Sequence, residues 1–122
     1  MVLWCLLKTY KEYLFTFNNL HPSENAHANF TMNFSIDTGS NYNVTKTTTL
    51  FRTYHQENGG SSSLLYQNEF DLAQGTGFQN LYAYGAGDDA DLCWGGTMSL
   101  HDPSSTTFVK HFISSISGTD GN

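Results

Sequence analysis

The chain has 122 residues and carries five Lys and Arg against eleven Asp and Glu, a formal charge of −6 at pH 7. Four lysines and one arginine, Arg52, cannot build a phosphate-reading basic stripe, so the composition argues against nucleic-acid binding. No segment approaches the ~18 consecutive apolar residues of a membrane helix, and the length suits a single domain over residues 1–122.

Ser (12), Thr (14), Asn (11) and Gly (11) dominate, with 15% aromatic and only 13% charged residues. A helical bundle needs Ala, Leu, Glu and Lys instead, and a disordered chain would hold fewer aromatics. Short strands joined by polar turns fit this composition. The opening Met1–Leu7 is apolar, with its first basic residues, Lys8 and Lys11, behind it rather than in front. It therefore reads as a strand or a truncated start rather than a cleaved leader. Tyr13–Phe17 is a second strand, stopped by Asn18-Asn19 and His21-Pro22. Residues 28–36 alternate apolar and polar without a break, which puts Phe30, Met32, Phe34 and Ile36 on one buried face and turns Asn33 to water.

Asp37-Thr38-Gly39-Ser40-Asn41 is a cluster of turn formers, and Tyr42–Tyr54 is rich in β-branched residues, with Asn43 and Lys46 marking a wet face. The two runs together predict a hairpin. Gly59–Ser63 is a loop tip, Leu64–Phe70 a short strand, and Leu81–Tyr84 another that ends at Gly85–Asp89. Strands over Leu92–Leu100 and Thr107–Ile113 follow, and then Ser114–Asn122, with residues 115–122 read as a polar tail. Strands spaced in this way predict an all-β, antiparallel β-sandwich of jelly-roll type. No amphipathic helix or internal repeat is evident.

Few motifs carry chemistry. Asp37-Thr38-Gly39-Ser40 matches the Asp-Thr-Gly turn of aspartic proteases, which need two carboxylates sharing a proton, so a chain with one such turn would have to dimerise. The apolar-apolar-Gly segment of that signature is missing, and Asp and Gly are also what a turn demands. His55-Gln56-Glu57 lacks the Pro-Cys-x-x-Cys of zinc deaminases, Gly85-x-Gly87-x-x-Ala90 has no helix behind it, and no Gly-x-Ser-x-Gly elbow occurs. Asp88, Asp89 and Asp91 form a dense acidic loop, the best candidate for a weak cation site. Cys5 and Cys93 suit two buried thiols or, in an oxidising compartment, one disulfide. Asn29, Asn33 and Asn43 each head a glycosylation sequon. Nothing in the motifs calls for a cofactor.

Four stretches taken together carry a resemblance: Tyr10–Pro22, Asn33–Tyr42, Asp71–Phe78 and Pro103–Phe112. In this respect the chain resembles a family of structural proteins of marine bacteriophages, with a strand, an Asp-x-Gly-Ser turn and a late Pro-Ser-Ser-Thr segment. The resemblance covers roughly residues 10–115 and implies a virion component from tail, fibre or capsid surface. It implies homo-oligomers and contacts with other virion proteins, with no enzymatic activity. It also implies further strands beyond the Lys-His-Phe segment, so the chain reads as a fragment with an open sheet edge. The competing reading is a carbohydrate-binding module, in which Tyr82, Tyr84 and Trp94 present exposed rings to a host-surface glycan beside the acidic loop.

Overall fold

The computed structural model describes residues 2–3, 9–23, 29–85 and 89–119. Its strands are β1 (Val2–Leu3), β2 (Glu12–Leu20), β3 (Thr31–Phe34), β4 (Phe51–His55), β5 (Ser62–Tyr66), β6 (Gln79–Asn80), β7 (Trp94–His101) and β8 (His111–Gly118). One 3-10 turn spans Asn68–Phe70, and no α-helix occurs among the described residues. The strands form three sheets, in the orders β1-β3-β6, β2-β7-β8 and β4-β5. Every pairing among them is antiparallel except the short β1–β3 contact, so the chain is all-β with antiparallel sheets.

The β2-β7-β8 sheet is built on a period of two. Phe17, Met98 and Leu100 turn inward and are buried, whereas Leu14 and Ile113 turn to solvent. The buried side joins Phe30, just before β3, and Met32, within it, in one core with Leu81, Leu92 and Trp94. Phe30 stacks on Trp94 at 5.8 Å between ring centroids, and Phe17 meets Phe30 edge-on at 5.0 Å. Each such ring pair adds about 0.5–1.5 kcal/mol to the area it buries. Gly96 lets β8 come close to β7. With φ at +154°, a Cβ there would lie 2.1 Å from the Ser115 carbonyl oxygen.

Several elements depart from the sequence expectation for physical reasons. The strand over residues 28–36 is ordered as β3 only from Thr31 to Phe34, and Ala28 lies outside the described residues. Beyond it Ser35 Oγ donates to Asp37 and bends the chain, which leaves Ile36 87% exposed instead of buried. Asn33, expected to face water, is 1% exposed, and Lys46 is 7% exposed. The predicted hairpin between residues 28–36 and 42–54 does not form. β3 pairs with β6, and β4 pairs with β5 across the Gly59 loop. Residues 42–50 instead run beside 72–75, with Lys46 and Gly75 exchanging backbone hydrogen bonds at 2.8 and 2.9 Å.

β2 is longer than predicted because it passes Asn18-Asn19 through a register shift, with Asn19 at φ +52°. Leu81–Tyr84 is a bend rather than a strand, following the short β6. β8 continues to Gly118, through residues expected to form a polar tail, because Ile116 packs against the core.

Candidate functional site

The β4-β5 hairpin stands away from the main sheet, and a cleft of about 360 Å³ separates the two. Its walls are residues 49–53, residues 79–83, Phe112 and residues 114–116. Arg52 is the one charged side chain among these wall residues. Its guanidinium lies 4.6 Å from the centroid of the Tyr54 ring and 4.2 Å from that of Tyr84, a double cation–π contact. Tyr84 leans edge-on against Phe70, and Tyr82 lines the cleft and donates its hydroxyl proton to the Gly118 carbonyl at 2.8 Å.

The other face of the hairpin is apolar and wet. Phe51, Leu64 and Tyr66 are 68%, 71% and 52% exposed, and the Phe51 and Tyr66 rings lie 5.3 Å apart across the strand pair. Phe108, Val109 and Ile113 are exposed to a similar degree around the start of β8.

Of the three rings expected to bind a glycan, Tyr82 lines this cleft, Tyr84 touches its Arg52, and Trp94 does neither. Tyr82 is half-buried in the wall, and Tyr84 is 43% exposed with its ring against the Arg52 guanidinium. Trp94 is only 5% exposed and belongs to the core, because it sits at the inward position of β7 over Phe30. Its indole N–H has no partner among the described residues. Asp88 lies outside the described residues, whereas Asp89 and Asp91 are exposed. His21 Nε2 lies 2.8 Å from the Asp89 backbone oxygen. No group of three His, Cys, Asp or Glu side chains among the described residues could hold a metal ion. Cys93 is half-buried, and Cys5 lies outside the described residues.

Asp37 serves its own turn. Its carboxylate accepts from Ser35 Oγ at 2.7 Å, from the Asn41 N–H at 2.9 Å and from Asn41 Nδ2 at 2.5 Å. These bonds, Ser35 first and Asn41 next, hold its pKa at about 2, well below the ordinary 3.8. Within the chain this carboxylate is occupied by its own turn.

The most buried polar group was missed in the sequence. Asn33 Nδ2 donates to the carbonyls of Tyr42 (2.7 Å) and Thr76 (3.1 Å), and its Oδ1 accepts from the Phe34 N–H (2.9 Å) and Lys46 Nζ (2.5 Å). Lys46 Nζ also donates to the Val44 carbonyl at 2.8 Å. No carboxylate pairs with Lys46 among the described residues, and burial pushes its pKa below the usual lysine range. The carboxamide therefore fastens three segments of chain around one amine. Arg52 and its rings were partly visible as Phe51-Arg52-Thr53-Tyr54, where a lone cation sits among aromatics. Nothing in the Thr-rich run around Lys46 marked it as an interior position.

Comparison with protein-family models, curated proteins and solved structures returned no match. The resemblance to phage structural proteins thus rests on the sequence patterns alone.

Proposed function

We propose that the chain is a non-enzymatic structural subunit that works by presenting the β4-β5 hairpin to other subunits, in the setting of a phage particle. The observation that carries this reading is the exposed stripe Phe51, Leu64 and Tyr66. Soluble monomers seldom leave large apolar side chains contiguous and wet unless the patch meets a partner. The low charge favours close packing of copies, and closed symmetry is the usual outcome for such assemblies. The virion setting is supported by the sequence resemblance, and the finer jelly-roll description by two sheets sharing one core. Light scattering over a concentration series tests the reading. The chain should form a discrete oligomer, and Phe51→Ser with Leu64→Ser should return it to monomer with an unchanged circular dichroism spectrum. A parent chain that stays monomeric at every concentration overturns it.

A second reading, a glycan-binding module, is supported by Tyr82 and Arg52 in the cleft wall and by the Tyr84 ring packed on Arg52. Titration with a panel of oligosaccharides, followed by fluorescence, tests it. A response lost in Tyr84→Ala would favour it, and no response across the panel would remove it.

A further inference from the structure

The cleft is walled by backbone seen edge-on. Residues 49–53 and 79–83 line it consecutively, as do 114–116. A cavity that met a strand on its face would touch every second residue, because side chains alternate. One that touches residues in succession meets the strand at its edge.

The hydrogen-bond ladders say which groups point there. In an antiparallel pair, residues alternate between bonding to the partner and pointing away from it. The Gln56 N–H bonds the Ser61 carbonyl, and the Gln67 N–H bonds the Leu50 carbonyl. With the register Phe51↔Tyr66 through His55↔Ser62, this places the N–H and C=O of Phe51 and Thr53 on the outer edge of β4. In β8 the Thr119 N–H bonds the Cys93 carbonyl, so Phe112, Ser114, Ile116 and Gly118 point away from β7. The bond from the Tyr82 hydroxyl to the Gly118 carbonyl agrees with this phase. Among the described residues, neither β4 nor β8 has a strand on that side. The two rows of outward backbone groups line a single slot.

We infer that the slot is an acceptor for an extended peptide strand from a partner protein, which pairs by its backbone with β8 and β4. The inference rests on the assembly reading and names the kind of partner it takes. At a rise of about 3.4 Å per residue and a spacing of about 4.8 Å, with equal depth, the cavity takes the backbone of roughly four to five residues. That is the length of β4, Phe51–His55. Among the described residues the walls are mostly uncharged, so the pairing is carried by backbone groups rather than by charge. The β8 edge is unprotected, whereas β4 carries Arg52. β8 has no Lys, Pro, Asp or Glu in eight residues, although charge or proline is how edge strands are ordinarily kept from pairing. Rows of backbone donors and acceptors match a peptide better than a sugar.

The test joins Thr-Val-Glu-Val-Thr to the C-terminus of the full chain through a flexible Gly/Ser linker. The tether holds the strand at a high effective concentration, so even a weakly pairing sequence reports on the slot. A control carries Thr-Pro-Glu-Pro-Thr, whose prolines remove two of the strand's amide donors. Amide exchange by NMR should slow by about tenfold or more at Phe51, Thr53, Phe112, Ser114 and Ile116 in the first fusion and not in the control. No slowing, or equal slowing in both, overturns the inference. Protection of these amides by free sialyllactose and not by the tethered strand also overturns it, and assigns the cleft to a glycan. Light scattering on the parent chain separates the two readings. Self-association without strand protection leaves the assembly reading standing and removes this one.

Discussion

Removing the Asn33 carboxamide is the sharpest perturbation of this structure. Asn33→Ala deletes four hydrogen bonds at once and leaves the Lys46 ammonium with the Val44 carbonyl as its remaining partner. A hydrogen bond to a charged group contributes about 1.5–3 kcal/mol, and a neutral one nearer 1 kcal/mol. Tyr42 and Thr76 are not buried, so water re-satisfies part of what their carbonyls lose. The net cost is about 3–4 kcal/mol, a large share of the ~5–15 kcal/mol typical of a domain. Lys46→Met behaves differently. It removes the desolvated amine and leaves Asn33 Oδ1 bonded to the Phe34 N–H, so the change stays within about 1 kcal/mol of zero, on either side.

Urea unfolding of the parent, both single variants and the double variant gives the cycle. Asn33→Ala should cost less in the Lys46→Met background, because no amine is then stranded. The pH dependence supplies a second readout. A lysine whose pKa is lowered on folding leaves the unfolded chain with more bound protons between the folded pKa and 10.5, so stability rises with pH across that window. The rise should vanish in Lys46→Met. Tyr66, whose pKa is raised chiefly by its hydrogen bond to Asp71, pulls the other way above pH 10, and subtracting the variant's curve removes it. An Asn33→Ala variant within about 1 kcal/mol of the parent refutes the claim that this network holds the fold.

Three further outcomes follow from features outside that network. Asp37 has its pKa held at about 2 against 3.8, so the stability it contributes is complete above 3.8 and lost as pH falls toward 2; acid unfolding of Asp37→Asn should lack that step. Gly96→Ala should cost more than about 3 kcal/mol by thermal melting, because its methyl group would meet backbone rather than a movable side chain, and a melting point near the parent's would contradict the β7–β8 approach. Trp94→Phe should cost less than about 2 kcal/mol, since the lost ring area is offset by removal of a buried indole N–H without a partner among the described residues, and a larger loss would reveal a partner for that N–H.

Period-two patterning located β3, because a strand with one buried face writes its burial into alternate residues, and the runs Tyr13–Phe17 and Leu92–Leu100 marked much of β2 and β7. It failed where burial was polar. Asn33 and Lys46 look like surface positions because the sequence shows residue types, not the carbonyls of Tyr42, Val44 and Thr76 that satisfy them. Ile36 failed in the opposite sense. Its apolar side chain continued a pattern that the Ser35–Asp37 turn had already ended. Pairing was the least legible feature. Turn residues at 37–41 suggested adjacent strands, but the register of β4 was set by the Gly59 loop, and that of β3 by β6 far along the chain. Tyr82 and Tyr84 could be singled out as aromatics in a short apolar run, whereas the placing of Tyr84 on Arg52, and of Tyr82 in the same cleft wall as Arg52, depends on long-range contacts. Trp94 drew the same expectation and went to the core, since ring chemistry alone does not say which way a strand faces.

The topology also sets a timetable for synthesis. β2 pairs with β7, so Glu12 waits for His101 and Phe17 for Gly96 before the main sheet can close. The β4-β5 hairpin, whose strands are separated by one short loop, has everything it requires long before that point. A ribosome making this chain therefore releases a finished arm while β2 is still unpaired. That strand carries Tyr13, Phe15 and Phe17 with no sheet partner until β7 has emerged. Closure across so long a loop is slow, and an open strand edge in the interval is an invitation to neighbouring nascent chains. Yield on expression should thus depend more on translation rate and temperature than on the stability of the finished sheet.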